Sequence, residues 1–203
     1  MRTHFAVDDP DVNPYRLLTA VVVPRPIAWV STVSDAGVVN LAPHSFYTVA
    51  CARPPIVQFT SVGRKDTLRN VLATGEFVVN LASAPLLDQV NNSAARFGPE
   101  TSEVEALGIA TAPSQSVRPP RVAASPVSIE CTLHSTNALG NSTVVLGDVR
   151  MISVADEVLV DGHPEFTLLE PLARLGKEEW ALRPEVISVR RPQSPEDIEN
   201  RSA

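Results

Sequence analysis

Short apolar runs broken by turn residues dominate this chain, and few of them keep a helical period. Residues 20–28 are small and β-branched and read as a buried strand interrupted by Pro24 and Pro26. Residues 29–33 continue as a strand, Asp35-Ala36-Gly37 is a turn signal and 38–41 return, so 27–42 form a hairpin candidate. Two further strands are expected over 46–50 and 56–60, split by the Arg53-Pro54-Pro55 corner. The period then changes: Leu68, Val71 and Leu72 fall at i, i+3 and i+4, which predicts a helix over 66–73 with Asp66 as its N-cap and Gly75 just past its end. Residues 77–81 are strand-like, 86–95 a second helix candidate and 104–107 a short third. A proline-rich extended connection over 112–126 precedes late strands at 127–134, 143–154 and 186–189. Strands outnumber helices, so the expected class is mainly β with peripheral helices, in the form of a barrel.

Composition narrows this picture. The 203 residues fit one domain, taken as 15–190, with a polar arm over 1–14 and a disordered tail over 191–203. Eighteen prolines against nine glycines favour short elements joined by stiff corners. The formal net charge of −6, with no basic block beyond Arg190-Arg191, argues against nucleic acid as a partner. No apolar stretch approaches the ~20 residues needed to span a bilayer, and Met1-Arg2-Thr3-His4-Phe5 lacks a signal-peptide core, so no membrane association and a cytoplasmic location are expected. Cys51 and Cys131 are far apart and are expected to be reduced thiols.

Two segments invite a chemical reading. Ser61-Val62-Gly63-Arg64-Lys65-Asp66-Thr67 sets a glycine, two cations and two hydroxyls before a helix, whose free N–H groups and positive dipole end suit a phosphate. The same residues would also serve as an ordinary solvated helix start. Asn, Ser and Thr punctuate Pro24-Arg25-Pro26-Ile27-Ala28-Trp29-Val30-Ser31-Thr32 and Asn40-Leu41-Ala42-Pro43-His44-Ser45-Phe46-Tyr47, which reads either as a ligand edge or as a capped hairpin. Trp29 is assigned to the core. His44 reads as a surface-loop residue, and no metal site is expected because the histidines have no partner at ligand spacing.

These two segments, continued by Arg64-Lys65-Asp66-Thr67, Gly75-Glu76-Phe77-Val78-Val79-Asn80-Leu81, Leu146-Gly147-Asp148-Val149 and Leu172-Ala173-Arg174-Leu175-Gly176 before Trp180-Ala181, resemble the flavin reductase-like family of FMN-binding split barrels. The resemblance implies a split β-barrel that binds FMN, with a homodimer and a site close to the subunit boundary. It implies backbone and hydroxyl contacts from Val30, Ser31 and Thr32, and contacts from Asn40, Leu41, Ala42 and Ser45 to the flavin. Ser61, Arg64, Lys65, Asp66 and Thr67 would hold the phosphate. Arg174 and Trp180 would approach the cofactor; the family usually carries Tyr at the latter position. A pyridoxamine-phosphate-oxidase-like reading shares the barrel but fits these motifs less well.

The implied activity is an FMN-dependent oxidoreductase working with a small-molecule or protein redox partner. Two alternatives remain: an NAD(P)H-dependent flavin reductase that supplies a monooxygenase, and a non-enzymatic flavin-binding electron carrier. One departure bears on the electron donor. Relatives that use NAD(P)H often carry Gly-Asp-His where this chain has Gly140-Asn141-Ser142, so Ser142 stands at the histidine position. No catalytic residue is assigned.

Overall fold

The computed structural model describes residues 1–98, 100–194 and 197. Helix α1 spans Pro14–Val21; the Asn13 side-chain oxygen accepts the Arg16 N–H at 3.0 Å and Pro14 takes the first helical position. The strand expected over 20–28 is thereby corrected. Its first residues end α1, and Arg25–Pro26 pairs only briefly, with Ala173–Arg174, in a ribbon completed by Trp180–Ala181. The Val21-Val22-Val23 run suggested a strand, but the helix signal lies upstream of it, in Asn13 and Pro14.

Seven strands form the main sheet: β1 (Ala28–Val33), β2 (Val39–His44), β3 (Tyr47–Cys51), β4 (Ile56–Val62), β5 (Glu76–Leu81), β6 (Val127–Leu139) and β7 (Ser142–Val154). Every pairing is antiparallel and the order is β2-β1-β5-β6-β7-β4-β3. The two outer strands, β2 and β3, are consecutive in the chain and joined only by Ser45 and Phe46. Such a short link forces the sheet's edges together at one end, where the Thr60 N–H donates to the Phe46 carbonyl at 2.8 Å. The sheet thus curls into a barrel, helped by register shifts in β7 between Leu146 and Gly147 and between Val149 and Met151.

Strand alternation divides the core in two. Ala28 and Val30 point into the barrel with Val57, Phe59, Phe77, Val79, Cys131 and Val145. Helix α2 (Asp66–Thr74) packs Leu68 and Val71 on this group and ends at Gly75, in the left-handed region at φ 72°. Ile27 and Trp29 point the other way, onto Leu41, Leu86, Val90, Val104 and Val122. This second layer is built from α3 (Leu87–Asn92), α4 (Glu103–Ala106) and the proline-rich connection. Trp29 is fully buried as expected, and its Nε1–H donates to Ser93 Oγ at 2.9 Å.

The connection is stitched down rather than merely laid over the surface. The Glu130 carboxylate accepts the Gln115 and Ser116 N–H groups, and Asn80 Oδ1 accepts the Val122 N–H at 2.8 Å. Residues 186–189 form no strand, contrary to expectation; Val186, Ile187 and Val189 are exposed and unpaired with any sheet. The expected tail over 191–203 lies largely outside the described residues. Both cysteines are free thiols.

Gly147 marks the tightest point of the barrel, where an added Cβ would stand 2.2 Å from Phe77 Cζ and 3.0 Å from Cys131 Cβ. Gly147→Ala should therefore destabilise the fold by about 1–3 kcal/mol through overpacking. Urea denaturation should show this loss, and adding Phe77→Leu to the same chain should recover part of it.

Candidate functional site

The loop between β4 and α2 forms one wall of a groove of about 650 Å³. Gly63 sits at φ 79°, in the left-handed region glycine tolerates, and turns the chain so that Arg64, Lys65, Asp66 and Thr67 face the groove. Ser61 stands behind this turn. It is buried, and its hydroxyl donates to the Gly63 carbonyl at 2.9 Å, so it shapes the loop without lining the groove. The N-cap of α2 is Lys65, with no side-chain cap bond, which corrects the assignment of Asp66. Asp66 instead lies in the first turn, with Oδ1 2.6 Å from Arg69 Nη1.

The opposite wall comes from the end of β2 and from the chain after α3, through Asn40, Ala42, Pro43, Ser93, Arg96 and Phe97. Asn40 is buried at the groove floor; its Nδ2 donates to Thr67 Oγ1 at 3.0 Å and Thr32 Oγ1 at 3.3 Å. Asn70 Nδ2 donates to the same Thr32 oxygen at 3.1 Å. This network locks the first turn of α2 to the β1–β2 hairpin. Arg64, Lys65 and Arg96 reach the groove with no carboxylate partner among the described residues.

A smaller cavity of about 190 Å³ adjoins the groove across Pro43 and Ala94. Ser45, Arg174 and Trp180 line it with Ile27 and Val90. The Arg174 guanidinium lies 4.6 Å from the Trp180 ring centroid, a cation–π pair fixed by their facing positions in the short ribbon. Arg25 anchors this wall. It is buried and donates to the carbonyls of Thr19, Val22 and Leu175, joining the end of α1 to the segment that carries Arg174.

Val30, Ser31, Thr32 and Leu41 are not on either cavity. Val30 is a core residue in register with Ala42 and Val79, so the ladders on both sides occupy its strand. The Ser31 hydroxyl donates to the Pro120 carbonyl at 2.5 Å and accepts from Asn80 Nδ2 at 3.2 Å. Thr32 is buried beneath Asn40. The Leu41 side chain is in the core and its N–H donates to Glu103 Oε2 at 2.9 Å. The groove thus gathers Asn40, Ala42, Arg64, Lys65, Asp66 and Thr67, and the neighbouring cavity gathers Ser45, Arg174 and Trp180.

Residues 20–169 match the family model of the flavin reductase like domain. The chain belongs to the flavin reductase-like family. A relative from Halalkalibacterium halodurans is 40% identical over 190 residues, covering 88% of this chain and 90% of that protein. Nitrilotriacetate monooxygenase component B from Bacillus cereus is similar with TM-score 0.85 and 27% identity, covering 93% of this chain and 100% of that one. 2-Nitrobenzoate 2-nitroreductase from Pseudomonas fluorescens is similar with TM-score 0.87 and 27% identity, covering 94% and 97%. The split barrel expected from the motifs is the fold of this flavin reductase-like chain.

Arg96, Phe97 and Glu103 escaped the sequence reading. Arg96 and Phe97 lie between two short helices and Glu103 opens the second; no spacing ties them to residues 40–67, and only the fold brings them to the groove. His44 also differs from expectation. It is buried at the end of β2 with its ring 4.7 Å from that of Phe59, and its Nε2 has no hydrogen-bond partner. No described helix is long and apolar enough to cross a membrane, and no His, Cys, Asp and Glu cluster suited to a metal occurs among the described residues.

Burial and the nearby Lys65 charge push the His44 imidazole down to about 4, against a smaller opposing effect of a hydrogen bond to the Thr60 backbone. The unfolded chain protonates this group near 6.5, so falling pH favours unfolding from about 6.5 down to about 4, by up to about 3 kcal/mol. His44→Phe, which keeps a ring against Phe59, should remove this part of the acid sensitivity. Urea midpoints of both proteins at pH 7 and pH 4.5 would reveal it as a smaller loss in the variant.

Proposed function

We propose that the protein is an FMN-binding oxidoreductase whose phosphate subsite is the cationic end of the groove. The observation that carries this reading is the convergence of Arg64, Lys65 and Arg96, without carboxylate partners among the described residues, on the first turn of α2. A phosphate monoester carries about −1.5 to −2 charges near neutral pH, which suits such a set. Arg64 and Arg96 offer planar paired donors, Lys65 a point charge, and α2 its free N–H groups. The Arg69 ion pair offsets part of the Asp66 charge, which opposes a phosphate.

The adjoining cavity supports the placement of a flat heterocycle. Ile27, Pro43, Val90 and Trp180 give it an apolar and aromatic lining, while Ser45 and Arg174 supply polar groups. Bound FMN would supply hydride or electron transfer, while the chain supplies binding, orientation and electrostatic tuning. Both solved relatives are named for redox systems, which agrees with this assignment. The electron donor is NAD(P)H or another carrier, and the acceptor a small molecule or a protein. An exposed apolar row on and after α1, from Tyr15 and Leu18 to Val21 and Val22, supports a homodimer.

The purified protein should take up FMN and show flavin absorption bands. Bleaching on anaerobic addition of NADH or NADPH would identify a nicotinamide donor; a stable yellow protein would point to another carrier. Failure to bind FMN at all would overturn the reading. Arg64→Ala with Lys65→Ala should weaken FMN by about 1.5–3 kcal/mol per lost charge-assisted bond, at least tenfold in Kd, with little change in thermal stability. Unchanged affinity, read by flavin fluorescence, would refute the phosphate assignment.

A further inference from the structure

Glu103 is the first residue of α4, which lies against the open edge of β2. It is 5% exposed, yet it forms part of the groove wall. Its Oε2 accepts the Leu41 N–H at 2.9 Å, and no other side chain among the described residues donates to the carboxylate. No cation among the described residues pairs with it: Arg69 is committed to Asp66, and Arg64, Lys65 and Arg96, the other cations of the groove, close on no carboxylate. The groove therefore contains a buried acid held by main-chain N–H groups alone, with no counter-ion among the described residues.

We propose that Glu103 is a ligand-facing residue that couples the groove to solvent protons: a phosphate-bearing ligand enters with uptake of a proton at this carboxyl. The inference rests on the phosphate subsite proposed above. The proton comes from solvent and converts the carboxylate to the neutral acid, and no other bond changes.

Burial is the main cause that raises the Glu103 pKa in the free protein, and the Asp66 charge acts in the same direction. The Leu41 N–H and the residue's own N–H oppose the shift without overcoming it. A second anion in the same groove adds repulsion of the kind Asp66 already exerts and removes further water. Both effects raise the pKa again, so binding takes up protons and tightens as pH falls. Two sources of anion, a flavin phosphate and a free inorganic anion, would act alike through charge.

The other charged groups facing this site do not mimic the effect. They are Arg64 and Lys65 before α2, Asp66 and Arg69 within it, and Arg96 after α3. Arginine and lysine side chains in general stay charged between pH 5 and 8. His44, at the far end of β2, titrates at about 4, below that window. Glu105 on the same helix is exposed. The ligand's own phosphate has the opposite sign, because cations favour its dianion and release a proton on binding.

The test is calorimetric titration of FMN into the ligand-free protein at pH 5.5, in buffers of different ionisation enthalpy. Glu103→Gln is the comparison, since its amide oxygen can still accept the Leu41 N–H. The wild-type protein should take up more protons per FMN than Glu103→Gln, by a fraction of a proton up to one. Equal proton uptake, with FMN bound by both, overturns this inference alone. No FMN binding by the wild-type protein overturns the functional reading and this inference with it. Sulfate, whose charge is fixed across the window, gives a second measurement that needs no variant. Its affinity for the wild-type protein should fall between pH 5 and 8, by at most about tenfold per pH unit. A pH-independent sulfate affinity would overturn the proposal even if Glu103→Gln failed to fold.

Discussion

Strand β1 is buried on both faces, so each of its side chains belongs to one of two packed layers and none can change layer without moving the strand. Ala28 and Val30 fill the barrel; Ile27 and Trp29 hold α3, α4 and the proline-rich connection against its outside. A slip of one residue would drive Trp29 into an interior already occupied by Phe59 and Phe77, whose rings meet edge to face at 5.4 Å. The same two-residue period carries Ser31 to the Pro120 carbonyl and Thr32 to the amides of Asn40 and Asn70. Both hydroxyls make hydrogen bonds within the fold and stand off the two cavities.

The groove inherits its shape from that constraint. With Thr32, Asn40, Thr67 and Asn70 hydrogen-bonded beneath it, the start of α2 has one position relative to the hairpin. That position delivers Arg64 and Lys65 to one side of an open space while the turn after α3 delivers Arg96 to the other. Cations held without carboxylate partners gain nothing for stability from one another, since like charges repel. Their placement around a single cavity is best understood through an anion that would lower that repulsion. The bond between Arg69 and Asp66 fits the same logic, since it offsets part of the charge of an acid that lines the proposed phosphate subsite.

The second cavity depends on a different anchor. Arg25 has no acidic partner among the described residues and donates to main-chain carbonyls, including two near the C-terminal end of α1, where the helix dipole is negative. Through Leu175 it holds the ribbon that presents Arg174 and Trp180 to Ser45. Two remote segments, residues 13–22 and 172–181, are thus joined at the site by one buried side chain. Neither their hydropathy nor their spacing announces the contact.

The sequence by itself determined the strands of the β1–β2 hairpin, helix α2 with its Gly75 stop, the later pairs β5, β6 and β7, and the cationic loop before α2. Each depends on local chemistry: alternation of apolar and polar residues, turn residues at fixed offsets, and a glycine where the backbone turns left-handed. Its ordered motifs also identified the family. Local chemistry did not decide which residues of a motif face open space. Ser61 and Thr67 are both hydroxyls in one loop, yet the first is turned onto the Gly63 carbonyl and the second onto the groove. Nor could it place His44 in the core, or bring Arg96 and Glu103 beside residues 40–67, because those contacts arise from closing a sheet and laying helices across its edge. Strand pairing is non-local, and the free energy that selects it is burial summed over both layers. Tertiary structure therefore decided which residues line the candidate site, and sequence decided the parts available to it.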